Sequence, residues 1–367
     1  MVRVLQMIGS LNVGGSQTMV LNLYRNTDRE KLQFDFVLDH PDERYFAADV
    51  EALGARIYSM PGFNGLNAGE IRRAWDAFLT EHPDYKVLHS HVRSYASIYL
   101  PVAKRHGMKT IIHSHNTSNG SGISAAAKQL LQRPLRDQAD VLMACSREAG
   151  EWLYGKKACM RDNFVFLPNA VDTARYRLPE SVRDQYRAKL DLSDKLVVGH
   201  VGRFHRQKNH AFLLDVFKVL HDRRPDSALL LVGDGELREQ TEARAAGLGL
   251  SDCVVFTGNR PDVPELLRAM DVFVFPSVWE GLPVSLIEAQ ASGLPCLVSE
   301  SVTSEACISP LTEKLPVGDA GCWADKILAA PPRRDVTEYI VRAGFDVRES
   351  AKKMTELYLK LAGESGT

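Results

Sequence analysis

Glu280 and Glu288 bracket the most chemically suggestive stretch of the chain, WEGLPVSLIEAQASGLP at residues 279–295. An apolar run, DVFVF at 271–275, precedes it, and a short break at Pro276 and Ser277 separates the two. A strand that turns through Glu280-Gly281-Leu282-Pro283 into an amphipathic helix aims free backbone N–H groups and a positive dipole end at whatever lies above the turn, which makes an anion site. Eight residues of helix amount to about 2.2 turns, so the first carboxylate stands at the mouth and the second within the helix. One can meet a reacting group and the other a more distant pair of hydroxyls. Two cations, Arg203 and Lys208, sit in GRFHRQKNH directly after the apolar run LVVGHVG. Cations at the carboxyl end of a strand can neutralise a diphosphate leaving group without a metal. Surface carboxylates on an ordinary helix and a solvated basic loop would give the same residues.

Near the start, Val2–Ile8 alternates like a buried strand and runs into a glycine loop holding Gly14, Gly15 and Ser16, before a helix over about 17–25. Strand, glycine loop and helix can cradle a phosphate or a sugar. The spacing G-x-x-x-x-G comes close to a nucleotide-triphosphate loop, but Gly15 occupies the place of the phosphate-binding lysine, which argues against an NTPase. A tight Gly-Gly connection with no ligand fits as well. Two other strands end in His-Ser-His, at His89–His91 and His113–His115. Residues i and i+2 share a face of a strand, so each pair could chelate a metal or line a cleft. The sequence beside them supplies no carboxylate or cysteine ligand, so no metal site is assigned; His113 reads as a packed histidine, and His89 and His91 suit either satisfied strand-end histidines or acceptor contact.

The elements that must position these groups alternate regularly. Short apolar segments at 34–38, 56–60, 87–92, 109–115 and 141–146 are separated by helical patterns, among them 70–81 with Ile71, Trp75, Phe78 and Leu79 on one face. The pattern predicts a parallel sheet covered on both sides. It restarts at Leu196 and continues through 228–232, 254–258 and 295–299, whereas 301–316 is too irregular to read. GDGE at 233–236 lacks the third glycine of a dinucleotide fingerprint, which disfavours a dehydrogenase. The expected organisation is an N-terminal Rossmann-like domain over 1–168 and a linker over 169–176. A second Rossmann-like domain over 177–345 follows, then a helix and tail over 346–367 whose apolar stripe (Ala351, Met354, Leu357, Tyr358, Leu361) suits docking on the first domain or on its own equally. AAAKQLLQRPLRD at 125–137 combines Lys128, Arg133 and Arg136 with three leucines. Such a face suits an anionic membrane surface or a polyprenyl diphosphate, and a solvated helix with inward leucines explains it equally. Pro134 should break it.

Composition narrows the classes. With 367 residues, 45% hydrophobic and 25% charged, the chain can bury two cores. A net charge of -1 gives no reason to expect nucleic acid. The opening MVRVLQMIG does not read as a signal peptide and no apolar run approaches the roughly 20 residues of a membrane span. Six scattered cysteines without a C-x-x-C pair suit a reducing compartment. The expected location is the cytoplasm, with peripheral association at the inner membrane face.

With Glu280 and Glu288 as an E-x7-E pair, EGLP followed by EAQASGLP resembles retaining glycosyltransferase family 4, in the branch that builds exopolysaccharide and capsule repeat units. GR-x4-KN at 202–209, GDGE at 233–236 and PNAVD at 168–172 are similar to further motifs of that family. The resemblance implies an α/β GT-B fold, two facing Rossmann-like domains with a nucleotide-sugar in the cleft and a final helix crossing back to the first. It implies that Glu280 and His115 lie at the donor sugar and diphosphate, that Arg203 and Lys208 stabilise the leaving group, and that Glu288 binds the ribose hydroxyls. Gly14, Gly15, Gly281, Leu282, Val284 and Val263 would complete the donor site, with Ser16 and Asn116 toward the acceptor. Pro283 departs from the family's usual glycine and removes one N–H, so the contact passes to Gly281, Leu282 or Val284. No Asp-x-Asp occurs in the sequence, so the carboxylate pair that holds a metal in the other major transferase fold is missing. The implied reaction is metal-independent sugar transfer from a nucleotide-sugar, a UDP-sugar by family habit, to a glycan or polyprenyl-diphosphate-linked saccharide, with no cofactor. Two other readings share the fold: a nucleotide-sugar epimerase needing no acceptor, and a non-catalytic sugar-nucleotide-binding subunit supporting a partner transferase.

Overall fold

The computed structural model describes residues 1–12, 14–115 and 123–364, with the side chains of 123–127 excepted. The chain forms two compact units, Met1–Ala170 together with Val347–Thr367, and Val171–Asp346.

The first unit contains β1 (Val2–Met7), β2 (Leu32–Leu38), β3 (Ile57–Ser59), β4 (Val87–Ser90), β5 (Lys109–Ser114), β6 (Val141–Ala144) and β7 (Phe164–Phe166). They pair in parallel in the order β3-β2-β1-β4-β5-β6-β7. Alternate side chains leave opposite faces of a strand. Val4 therefore joins a core with Phe34 and Phe36 on one side, and Leu5 a core with Val37, Trp75 and Tyr99 on the other. Both faces are covered, which is why these strands read as nearly continuous apolar runs.

The second unit repeats the plan with β8 (Leu196–Val201), β9 (Ser227–Val232), β10 (Val254–Phe256), β11 (Val272–Phe275), β12 (Cys296–Ser299) and β13 (Thr312–Leu315). Their parallel order is β10-β9-β8-β11-β12-β13. The strand β13 lies in the stretch that the sequence left unread. It is an edge strand of sequence TEKL with only Leu315 buried, so its pairing with β12 rests on backbone hydrogen bonds and leaves no apolar pattern to find.

In each sheet the chain order reverses once, between β1 and β4 in the first and between β8 and β11 in the second. Loops leaving the carboxyl ends of the strands on either side diverge there and open a crevice, the usual ligand position in open α/β sheets.

The final helix, Val347–Ala362, belongs to the first unit. Val347, Ala351, Met354 and Tyr358 follow a helical spacing and enter the core that contains Val4 and Phe34, with the Tyr358 and Phe34 rings edge to face at 5.7 Å. Leu357 and Leu361 of the expected stripe are only partly buried. Pro134 does break the 125–137 segment: one helix runs Ile123–Gln132 and a short one Leu135–Gln138. Leu135 faces the core, while Leu130 is 63% exposed beside the exposed Lys128, Arg133 and Arg136.

Because Met354 is almost fully enclosed, truncating it leaves a cavity in the first unit's core. Met354→Ala is expected to lower the unfolding free energy by about 2–5 kcal/mol in urea titration, with little change on the second unit's side of any biphasic transition.

Candidate active site

In the second unit the loop after β8 and the loop after β11 meet at the reversal of strand order. They are tied by backbone and side chains: the Val278 N–H donates to the Gln207 carbonyl at 2.8 Å, the Gln207 amide to the Trp279 carbonyl at 2.8 Å, and the Asn209 amide to the Pro276 carbonyl at 3.3 Å. Asn209 adopts a left-handed conformation, φ 57, which ends a short turn at Lys208 and starts the helix His210–Arg223. The result places the Lys208 ammonium 2.7 Å from the Glu280 carboxylate. Their side chains are only 14% and 6% exposed. The ammonium also stands 4.5 Å from the centre of the Phe275 ring, over its negative face. Thus the cation predicted on one loop and the carboxylate predicted on another form one nearly desolvated pair.

Arg203 leaves the same loop but stays in solvent, 72% exposed, and pairs with Glu236 at 3.1 Å. Glu236 is presented by the GDGE turn, which lies hard against the β8 loop. A Cβ on Gly233 would stand 2.2 Å from the Gly202 carbonyl oxygen, and one on Gly235 2.5 Å from that of Phe204, so only glycine fits. Both also take positive φ, 135 and 158.

Beyond Glu280 the chain enters the helix Val284–Ala291 with Pro283 at its cap position. No side chain caps this end. The Pro283 carbonyl accepts from Leu286 N–H at 3.1 Å, which leaves the first-turn N–H groups of Val284 and Ser285 without an intrahelical acceptor. Pro283 therefore removes a donor from the loop and none from the helix. Gly281 is exposed, and a Cβ there would meet nothing within 4 Å, whereas Leu282 is half-buried against the unit's core. Val263 opens the helix Val263–Ala269 and is also partly packed in that core.

Glu288 lies inside the helix and does not join the Lys208 pair. Its carboxylate accepts a hydrogen bond from the Tyr176 hydroxyl at 2.8 Å. The residue keeps some surface, but burial of the carboxyl raises its pKa to about 7, against the lowering effect of the Tyr176 hydrogen bond. Tyr176 was not legible as a site residue: it comes from a short turn 112 positions earlier. The same holds for Phe275, whose apolar strand gave no sign that its ring underlies a cation.

The first unit carries the remaining predicted residues. Gly14 and Gly15 cap and open the helix Gly15–Arg25 after β1, and Ser16 donates to Gln17 at 2.9 Å. Across the reversal point, β4 and β5 bring both His-Ser-His pairs into one stack: ring centres of His89 and His91 are 4.3 Å apart, and those of His113 and His115 4.0 Å. His115 Nε2 lies 2.8 Å from His91 Nδ1. Burial drives the pKa of His115 and of His89 down to about 3, and those of His91 and His113 well below the ordinary value, so all four are neutral at pH 7. Asn116, expected beside His115, lies outside the described residues.

Known proteins are similar to this chain in sequence and in fold. The family Glycosyl transferases group 1 matches residues 182–308, and Glycosyltransferase Family 4 matches residues 13–175. EpsF of Bacillus subtilis (strain 168), provisionally assigned as a glycosyltransferase, is 34% identical over 97% of this chain and 96% of its own length. The Escherichia coli UDP-Gal:alpha-D-GlcNAc-diphosphoundecaprenol alpha-1,3-galactosyltransferase is 33% identical over 42% of each chain. Among solved structures, Anabaena HepE in complex with UDP aligns with a TM-score of 0.70 over 99% of this chain and 98% of that one, at 16% identity. A glycosyltransferase from Rickettsia africae aligns with a TM-score of 0.79 over 99% of both chains, at 14% identity. Two parallel Rossmann-like sheets, a terminal helix returned to the first unit, and a full-length relative at this identity lead to one conclusion: the chain belongs to glycosyltransferase family 4 and has the GT-B fold.

Proposed function

We propose that this glycosyltransferase moves a sugar, with retention at the anomeric carbon, from a UDP-sugar to a glycan or lipid-linked saccharide in the synthesis of a surface polysaccharide. The observation that carries the donor site is the Lys208–Glu280 pair, held 2.7 Å apart at the strand-order reversal beside an uncapped helix N-terminus. Lys208, Arg203 and the N–H groups of Val284 and Ser285 offer positive charge and donors for a leaving diphosphate, with no metal needed for that task. Gly281 leaves room for close approach to its backbone, and Leu282 and Val263 border the same end of the sheet. Glu288 accepts from the ribose hydroxyls, and Glu280 orients the donor sugar through the oxygen that Lys208 does not occupy. In the first unit, His115 with Gly14, Gly15 and Ser16 serves the sugar and the acceptor, and Asn116 joins the acceptor contacts.

The acceptor hydroxyl attacks from the face that the diphosphate leaves. The C–O bond to the diphosphate breaks as the new glycosidic bond forms, and a diphosphate oxygen takes the hydroxyl proton. A UDP donor is supported by the UDP held in the Anabaena structure and by the UDP-Gal named for the Escherichia coli relative, whose diphosphoundecaprenol acceptor also supports a lipid-linked one. The exposed Leu130 among Lys128, Arg133 and Arg136 gives a face suited to such a lipid's membrane, consistent with peripheral association on the cytoplasmic side.

A panel of nucleotide-sugars assayed by thermal unfolding should yield one UDP-sugar that raises the midpoint, by about 2.7 kcal/mol of apparent stability at a hundredfold excess over Kd. With that donor, Lys208→Ala and Glu280→Ala should each lose about 10²–10³-fold in kcat while far-UV circular dichroism is unchanged. Full activity in both variants, an inverted linkage by NMR, or conversion of the donor without acceptor would overturn the reading.

Ionisation of Glu288 gives a second test. Its folded pKa lies above its unfolded value near 4.5, so its contribution to stability is present below pH 4.5 and is lost as pH rises through about 7. The carboxylate that accepts ribose hydroxyls forms over the same range. Donor KM should therefore fall between pH 6 and 8 in the native protein, and this dependence should flatten in Glu288→Gln.

A further inference from the structure

Beside each His-Ser-His pair the sequence offered no carboxylate or cysteine that could complete a metal site. The fold supplies what was missing by setting β4 beside β5, with His89 in register with Ile111 and Ser90 with Ile112. One ring nitrogen from each of His89, His91 and His113 falls within 4.8 Å of the others. His89 and His113 are 1% and 0% exposed, yet among the described residues His89 Nε2 and both ring nitrogens of His113 have no hydrogen-bond partner. A buried, unpaired polar atom ordinarily costs about 1–3 kcal/mol, and two of the three rings of this cluster carry one or more. His115 Nδ1 is likewise without a partner among the described residues.

The outward-facing nitrogens, in contrast, are held. His91 Nε2 lies 3.0 Å from the Gln6 carbonyl oxygen, which can only accept, so the proton sits on Nε2 and the lone pair on Nδ1. His89 Nδ1 lies 2.6 Å from the Tyr358 hydroxyl, which itself accepts from the Gln6 amide at 3.2 Å. In the tautomer in which His89 donates its Nδ1–H to the Tyr358 oxygen, both rings have the N–H support that metal-binding histidines characteristically have, and His89 Nε2 and His91 Nδ1 keep their lone pairs. His91 and His115 retain some exposure, so the cluster is not sealed from solvent.

We propose that His89, His91 and His113 form a binding site for one divalent transition ion of the zinc class, with His115 able to serve as a fourth ligand once it releases His91. Neutral imidazoles suit Zn²⁺, Co²⁺, Ni²⁺ or Cu²⁺, whereas Mg²⁺ and Ca²⁺ require oxygen ligands that the cluster does not offer. His89, His91 and His113 have no part in the transfer reaction proposed above, which shares only the optional fourth ligand His115, and the site is formed within the first unit alone.

The test uses the full chain, freed of metal by chelator, and titrated with Co²⁺ and Zn²⁺ by absorption and calorimetry. One equivalent of Co²⁺ should bind with ligand-field bands and without the thiolate charge-transfer band that the cysteines would give, and Zn²⁺ should displace it and raise the unfolding midpoint. His113→Gln should abolish that equivalent. Tyr358→Phe, which keeps the ring in its core position, should weaken it about 10–100-fold while the protein stays folded. No binding to the folded native protein, unchanged binding in His113→Gln, unchanged affinity in Tyr358→Phe, or a thiolate spectrum would each overturn the proposal.

Discussion

A lysine and a glutamate held almost out of water at 2.7 Å set the terms for the rest of the second unit. Breaking such a pair by losing one partner typically costs about 3–5 kcal/mol, because the other charge stays buried without compensation. The two loops must therefore keep their geometry, and the structure shows how: the Gln207 and Asn209 side chains bind the carbonyls of Trp279 and Pro276, and Val278 N–H returns to Gln207. The glycines of the GDGE turn then let that turn press on the β8 loop from the other side. A surface pair with the same two residue types would contribute about 0–1 kcal/mol and would impose no such order.

Both units use the reversal of strand order, but they fill it with opposite chemistry. The second unit concentrates charge there: an ammonium, a carboxylate and the open end of a helix dipole. In the first, the corresponding strand ends carry a glycine turn and four imidazoles that burial keeps uncharged. One strand-order reversal offers a charged pair and free helix N–H groups, and the other neutral ring nitrogens. The same topology serves both, since the sheet determines only where loops diverge.

The fold was legible in the sequence because parallel strands buried on both faces cannot hide: runs such as LVVGHV and VFVF have to be apolar throughout. Edge strand β13 escaped because its polar face looks outward. Lys208 and Glu280 were legible as candidates from their motifs, while their direct pairing was not, since it depends on loops 72 positions apart. Tyr176 under Glu288, and Gln6 and Tyr358 behind the histidines, had no local signal for the same reason. Pro283 shows the converse. A rule about missing N–H groups made it look costly, but a cap position places that loss outside the helix.

The route of the chain also bears on how the protein is made. The second unit is one continuous segment, Val171–Asp346, whereas the first needs Val347–Ala362 to close the core around Val4, Phe34 and Tyr24. On the ribosome, residues 1–170 emerge first yet must wait for that helix, with an apolar groove uncovered throughout the synthesis of the second unit. Domains ordinarily fold in the order of synthesis. Here the later-made unit can reach its native state before the earlier one does, and the period of greatest exposure to chaperones and to aggregation falls on the part of the molecule that was translated first.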